Sequence, residues 1–108
     1  MITFIETSVF ARAREHYLDD EEFTELQQFL VRHPEAGDVV PGSGGVRKLR
    51  WALLGRGKRG GARVLYFWAS SRGQIWLLVM YGKNVQENIA PETLRRLKEM
   101  FHGKDDGG

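Results

Sequence analysis

Residues 42–83 read GSGGVRKLRWALLGRGKRGGARVLYFWASSRGQIWLLVMYGK. Three strand patterns lie inside this stretch, separated by glycine-bearing turns. Over residues 46–53, Leu49, Trp51 and Leu53 fall on one side of the alternation, and Lys48 and Arg50 fall on the other with Val46 and Ala52. Residues 55–61 form a glycine-rich turn that carries Arg56, Lys58 and Arg59. Residues 62–70 and 74–81 are further strands, joined at Ser71-Arg72-Gly73, so the three predict an antiparallel meander. The same stretch holds nine Lys or Arg and no Asp or Glu, a local charge of +9, against −6 for residues 1–41 and −1 for residues 84–108. A chain of net charge +2 has gathered its cations into one segment, as a surface for phosphate requires.

Outward from the meander, residues 2–6 alternate as a short strand. Thr7 or Ser8 offers a cap for a first helix, Ser8–Tyr17, with Phe10, Ala13 and Tyr17 at helical spacing. Asp19 and Glu22 stand at capping-box spacing before a second helix, with Phe23, Leu26, Phe29 and Leu30 as its stripe. Pro34 follows its end, and residues 37–45 read as a loop. A last helix is expected over residues 91–101, opened by Pro91 and lined by Leu94, Leu97 and Phe101. The predicted order is β-α-α-β-β-β-α, an α+β domain over residues 1–103 with helices packed on one face of a small twisted antiparallel sheet. Residues 104–108 are expected to be a disordered tail. The strands at 63–68 and 74–81 are apolar on both faces. Either the last helix covers the second face or a partner protein does, and the two are compatible.

Composition narrows the chemistry. The chain has 108 residues, enough for one domain with a modest core. It has no cysteine, hence no disulfide framework and no thiolate site. His16, His33 and His102 are isolated from other ligand types, so no metal site and no cofactor is expected. No apolar run approaches the ~20 residues of a membrane span, and no membrane association is expected; the chain fits a cytoplasmic setting. Gly55-Arg56-Gly57-Lys58-Arg59-Gly60 matches G-x-G-x-x-G, but a dinucleotide fold needs a helix after it and a strand follows here. The kinase signatures are missing as well. The basic segment contains no His, Cys, Asp or Glu, so no familiar catalytic dyad can be built in it. Lys, Arg and Tyr remain.

Three runs in combination carry a resemblance: Gly44-Gly45-Val46-Arg47-Lys48-Leu49-Arg50; then Gly57-Lys58-Arg59-Gly60-Gly61-Ala62-Arg63-Val64-Leu65-Tyr66; then Tyr81-Gly82-Lys83-Asn84. Together they resemble HigB-type toxins of the RelE/ParE superfamily, over about residues 4–101. The resemblance implies the toxin half of a type II toxin–antitoxin pair. It implies a small endonuclease that cuts messenger RNA on translating ribosomes. Its partners would be ribosomal RNA and a HigA-like helix-turn-helix antitoxin, through which it would associate indirectly with DNA. Carried over by position, Lys48 and Arg50 stand where relatives place catalytic cations, and Arg63 matches an arginine that contacts the scissile phosphate. Relatives also use Arg and Tyr after the Gly-Lys of the last strand. Here residues 84–88 read Asn-Val-Gln-Glu-Asn, so either Tyr81 and Lys83 take over that work or the chemistry differs in detail.

The expected catalytic set is therefore Lys48, Arg50, Arg63 and Tyr81. Lys48, set among arginines, has its ammonium form disfavoured, which suits proton transfer. Arg47, Arg56, Lys58, Arg59 and Lys83 are expected to grip RNA or ribosomal RNA. With no carboxylate between residues 41 and 83 to hold a metal, the expected nucleophile is the substrate's own 2′-OH. The rival reading is a non-enzymatic RNA- or ribosome-binding module on the same basic face. A DNA-binding regulator is weaker, because the basic cluster lies on no helix.

Overall fold

The computed structural model describes residues 1–53, 61–85 and 89–106, with the backbone alone considered for residues 102–106. It contains β1 (Thr3–Glu6), α1 (Ser8–Tyr17), α2 (Asp20–Arg32), β2 (Asp38–Val39), β3 (Arg47–Trp51), β4 (Ala62–Ala69), β5 (Gln74–Gly82) and α3 (Pro91–Asp106). The five strands form one sheet in the order β1-β5-β4-β3-β2.

Local sequence explains the helix starts. The Thr7 hydroxyl accepts the Phe10 N–H at 2.9 Å and donates to the buried Leu78 carbonyl at 2.7 Å, capping α1 and fastening it to β5. Asp19 and Glu22 form the expected reciprocal capping box on α2, at 2.7 and 2.8 Å. Pro91 opens α3, which runs to Asp106 rather than stopping at residue 101.

The meander β3–β4–β5 is antiparallel, as expected. Three features of the expected architecture need correction. The sheet is mixed, because β1 lies parallel to β5 at the edge. The loop over residues 37–45 contains a further strand, β2, paired antiparallel with β3. The helices do not all lie on one face. α1 and α2 bury Phe10, Phe23, Leu26 and Leu30 against Leu49, Val64, Tyr66 and Leu77. α3 packs on the opposite face, where Leu94, Leu97 and Phe101 meet Val46, Leu65, Phe67 and Trp76. The two-sided apolar strands thus have a covering element within the chain.

Both ends of the β2–β3 loop are tied down. The Ser43 hydroxyl donates to the Val40 carbonyl at 2.6 Å and accepts the Val46 N–H at 3.0 Å. Lys98 on α3 donates to the Gly44 carbonyl at 3.0 Å and sits 4.7 Å over the Phe67 ring. At the β4 end of the glycine-rich turn, Gly61 has φ +69°, and a Cβ there would run into the Trp51 carbonyl oxygen. Only glycine fits.

Candidate nucleic-acid interface

Strand register decides which basic side chains can act together. Cross-strand partners share a face. Arg50 pairs with Arg63, and Arg63 pairs with Tyr81. These residues form one transverse row over three adjacent strands, about 10 Å from first to last backbone at the usual interstrand spacing. Lys48 lies two residues before Arg50, on the same face, paired with Leu65. All four expected catalytic residues therefore occupy one face of the sheet, at the end nearest the glycine-rich turn.

The next rows on that face are apolar. Leu65 and Val79 pair directly, and Phe67 pairs with Trp76. α3 is seated on this part, with Phe101 edge-on to Trp76 at 5.5 Å between ring centroids. The face is thus divided: α3 covers the aromatic end, and the cationic row lies beyond. Lys48 and Arg50 are exposed there, while Arg63 and Tyr81 are half-buried. One Arg63 guanidinium N–H reaches the Ala62 carbonyl at 3.3 Å. Such an arrangement holds two guanidinium groups and one ammonium where a phosphate can approach them, with a phenol at the side.

Of the residues expected to bind RNA, Lys83 fits this placement. It is exposed, and its N–H continues the β4–β5 ladder to the Gly61 carbonyl at 3.1 Å. Arg56, Lys58 and Arg59 lie outside the described residues. Arg47 is not brought to the group. It alternates with Lys48 onto the face of α1 and α2, where its guanidinium donates to the Glu35 and Gly37 carbonyls at 3.1 and 2.8 Å. There it ties two carbonyls of the loop before β2 to β3. Arg72 stands at the far end of the sheet, 5.7 Å over Trp76. The strand aromatics Tyr66 and Trp76 are buried and Trp51 packs on Phe29, so none is offered for base stacking.

One charged residue reaches this face unannounced by the sequence. Asp38 on β2 pairs with Lys48 on β3, so the basic face carries a carboxylate. Lys48 is therefore not set among cations alone. Asp38, Lys48 and Arg50 line a groove of about 490 Å³ with Val40 and Pro41. No run of alternating residues marks β2; the available signal was a lone Asp-Val pair between two glycine-containing loops.

The loop before β2 is held from beneath. The Tyr66 hydroxyl donates to the Pro34 carbonyl at 2.8 Å and accepts the Gly37 N–H at 3.0 Å. Burial pushes the Tyr66 phenol above its ordinary value, outweighing the opposing effects of the Gly37 N–H and the Arg47 charge. Tyr17 accepts the Gly82 N–H at 2.9 Å and fixes the end of β5 next to Tyr81.

Among the described residues, no three His, Asp or Glu side chains gather as metal ligands, and no helix is long and apolar enough to cross a membrane. The family model for the RelE toxin of RelE/RelB toxin–antitoxin systems matches residues 2–104, and the α+β fold with its five-stranded mixed sheet is compatible with that family. With all but a few terminal residues matched, the chain belongs to the RelE toxin family.

Proposed function

We propose that this toxin is of the HigB type and cuts messenger RNA on the translating ribosome. The observation that carries the reading is the register Arg50–Arg63–Tyr81, with Lys48 beside it on the same face. The 2′-oxygen of one nucleotide attacks its own 3′-phosphate and the 5′-oxygen of the next nucleotide leaves. Arg50 and Arg63 meet the charge that builds on the phosphate oxygens, where preorganised donors act most strongly. Lys48 and Tyr81 stand within the same group as proton-transfer candidates. Lys83, with Arg56, Lys58 and Arg59, supplies backbone contacts. The ribosome orients the message, and positioning of that kind supplies up to ~7–11 kcal/mol of a barrier. The chemistry uses no metal: among the described residues, Asp38 is the one carboxylate that the strands bring to this face, where a two-metal site needs several.

The partner that silences the toxin is a HigA-like helix-turn-helix protein, and any association with DNA runs through it. The setting is the cytoplasm, where ribosomes translate. A non-enzymatic RNA- or ribosome-binding module would use the same cations, and the following experiment separates the two. Expression of the chain alone is expected to arrest growth with cleaved messages, and co-expression of the antitoxin is expected to restore growth. Arrest with intact messages would favour the binding module. Healthy growth of a host making soluble protein would count against both.

A further inference from the structure

We propose that Asp38 is the catalytic residue that takes the proton from the attacking 2′-OH, an assignment that rests on the ribonuclease reading above. In-line displacement needs a proton acceptor and a proton donor on opposite sides of the phosphate. Tyr81 can donate, but the arginines stay protonated and an ammonium group such as that of Lys48 has no acceptor lone pair, so the cationic row alone does not supply the acceptor. Strand order does supply it. Asp38 on β2 and Tyr81 on β5 lie on the same sheet face, on opposite sides of Arg50 and Arg63. Asp38 is level with Lys48, two residues along the strands from the Arg50–Arg63–Tyr81 row, so three interstrand spacings and that offset put the Asp38 and Tyr81 backbones roughly 16 Å apart. The two side chains span part of that distance, and the remainder is of the size of one phosphate over the arginines.

The surroundings of Asp38 suit the role. Lys48 faces it directly from β3, and Arg50 stands two residues further along β3 on the same face, past the end of β2. Arg47 faces away, bound to the Gly37 carbonyl. From α3, Lys98 is engaged by Gly44 at the other end of the loop. β2 is an edge strand, so its outer side has no neighbouring strand. Among the described residues, no hydrogen bond or ion pair engages the Asp38 carboxylate, and the side chain is exposed in the groove it shares with Lys48 and Arg50. A carboxylate so placed has cations beside it and stays open to a ribose hydroxyl.

An Asp38 carboxylate oxygen takes the 2′-OH proton. The 2′-oxygen forms a bond to phosphorus, and the bond from phosphorus to the 5′-oxygen breaks. The Tyr81 hydroxyl gives its proton to the departing 5′-oxygen. Water returns both side chains to their starting forms. The products are a 2′,3′-cyclic phosphate and a 5′-OH.

The test is single-turnover cleavage of a message on programmed ribosomes, with ribosome binding measured separately by co-sedimentation. The parent chain, Asp38→Asn, Asp38→Glu and Asp38→Ala are compared, the last with and without added formate. Asp38→Asn keeps the shape and removes the proton acceptor. It is expected to slow cleavage by roughly 10²–10⁴-fold, the usual contribution of a general base, with ribosome binding retained. Asp38→Glu is expected to keep much of the rate, and formate is expected to restore part of the Asp38→Ala rate. A purely structural aspartate would not respond to formate. Asp38→Asn cutting at the parent rate would overturn the assignment, as would loss of cleavage accompanied by equal loss of binding, or no recovery with formate. In each of those cases the parent still cuts and the ribonuclease reading stands. A parent chain that binds ribosomes and cuts nothing would instead overturn that reading and this assignment together.

Discussion

Replacing Tyr66 with Phe removes one oxygen atom and leaves the buried ring in place. That oxygen donates to Pro34 and accepts from Gly37. Losing the first bond costs about 1 kcal/mol. The second loss leaves the buried Gly37 N–H without its partner, a penalty of roughly 1–3 kcal/mol. Tyr66→Phe should therefore destabilise by about 2–4 kcal/mol. An unfolding entropy of about 0.23 kcal/mol/K for 108 residues turns this into a fall of about 9–17 °C in Tm. The same oxygen has a pH signature. Burial holds the folded phenol above the ordinary 10.0, so the unfolded chain ionises first as pH rises. Stability from this source is complete below about pH 10 and declines above it, through the folded value. Thermal melts and urea titrations at pH 8 and at pH 10.5 measure both effects. The parent should lose more stability than Tyr66→Phe between those pH values. A Tm drop below about 3 °C, or equal alkaline losses in the two proteins, would refute the assignment of this hydroxyl as the clamp on the loop.

Arg63→Ala should reduce message cleavage by roughly 10²–10³-fold, the usual loss for one donor to a developing oxyanion, with a circular-dichroism spectrum like that of the parent. Arg47→Ala should lower Tm, because the Glu35 and Gly37 carbonyls lose their donor, yet ribosome binding by the folded protein should keep the parent's salt dependence. Lys58→Ala should weaken binding and reduce the salt slope by about one, as loss of a backbone contact does; salt titrations of ribosome binding check both cationic variants.

Much of the fold could be read from local patterns. The capping box of Asp19 and Glu22 and the cap at Thr7 are short-range chemistry, and both stand where spacing placed them. The meander followed from strict alternation over Leu49, Trp51, Lys48 and Arg50. What alternation does not contain is the partner of an edge strand. Ile2–Glu6 reads as strand, but its parallel seat beside β5 depends on where α1 and α2 return the chain. β2 spans two residues and takes its conformation from β3 rather than from its own sequence, which hid Asp38. The side of α3 was open because its apolar stripe fits either face; the two-sided strands needed a cover, and Leu94 and Phe101 provide it. Arg47 shows a different failure. Its alternation with Lys48 already put it with Leu49 and Trp51, but counting charge along the segment grouped it with the outward cations. Charge density locates a basic region, while register decides which of its members meet one ligand.

The end groups of a cleaved message distinguish attack by the 2′-OH from attack by water. Primer extension on a translated message locates the cut, and enzymatic end-group analysis identifies the fragments. A 2′,3′-cyclic phosphate upstream and a 5′-OH downstream are expected with the parent chain, with cleavage reduced by roughly 10²–10³-fold in Arg63→Ala and no cutting of a DNA strand, which lacks the 2′-OH. A 5′-phosphate on the downstream fragment, or equal activity on DNA, would contradict it.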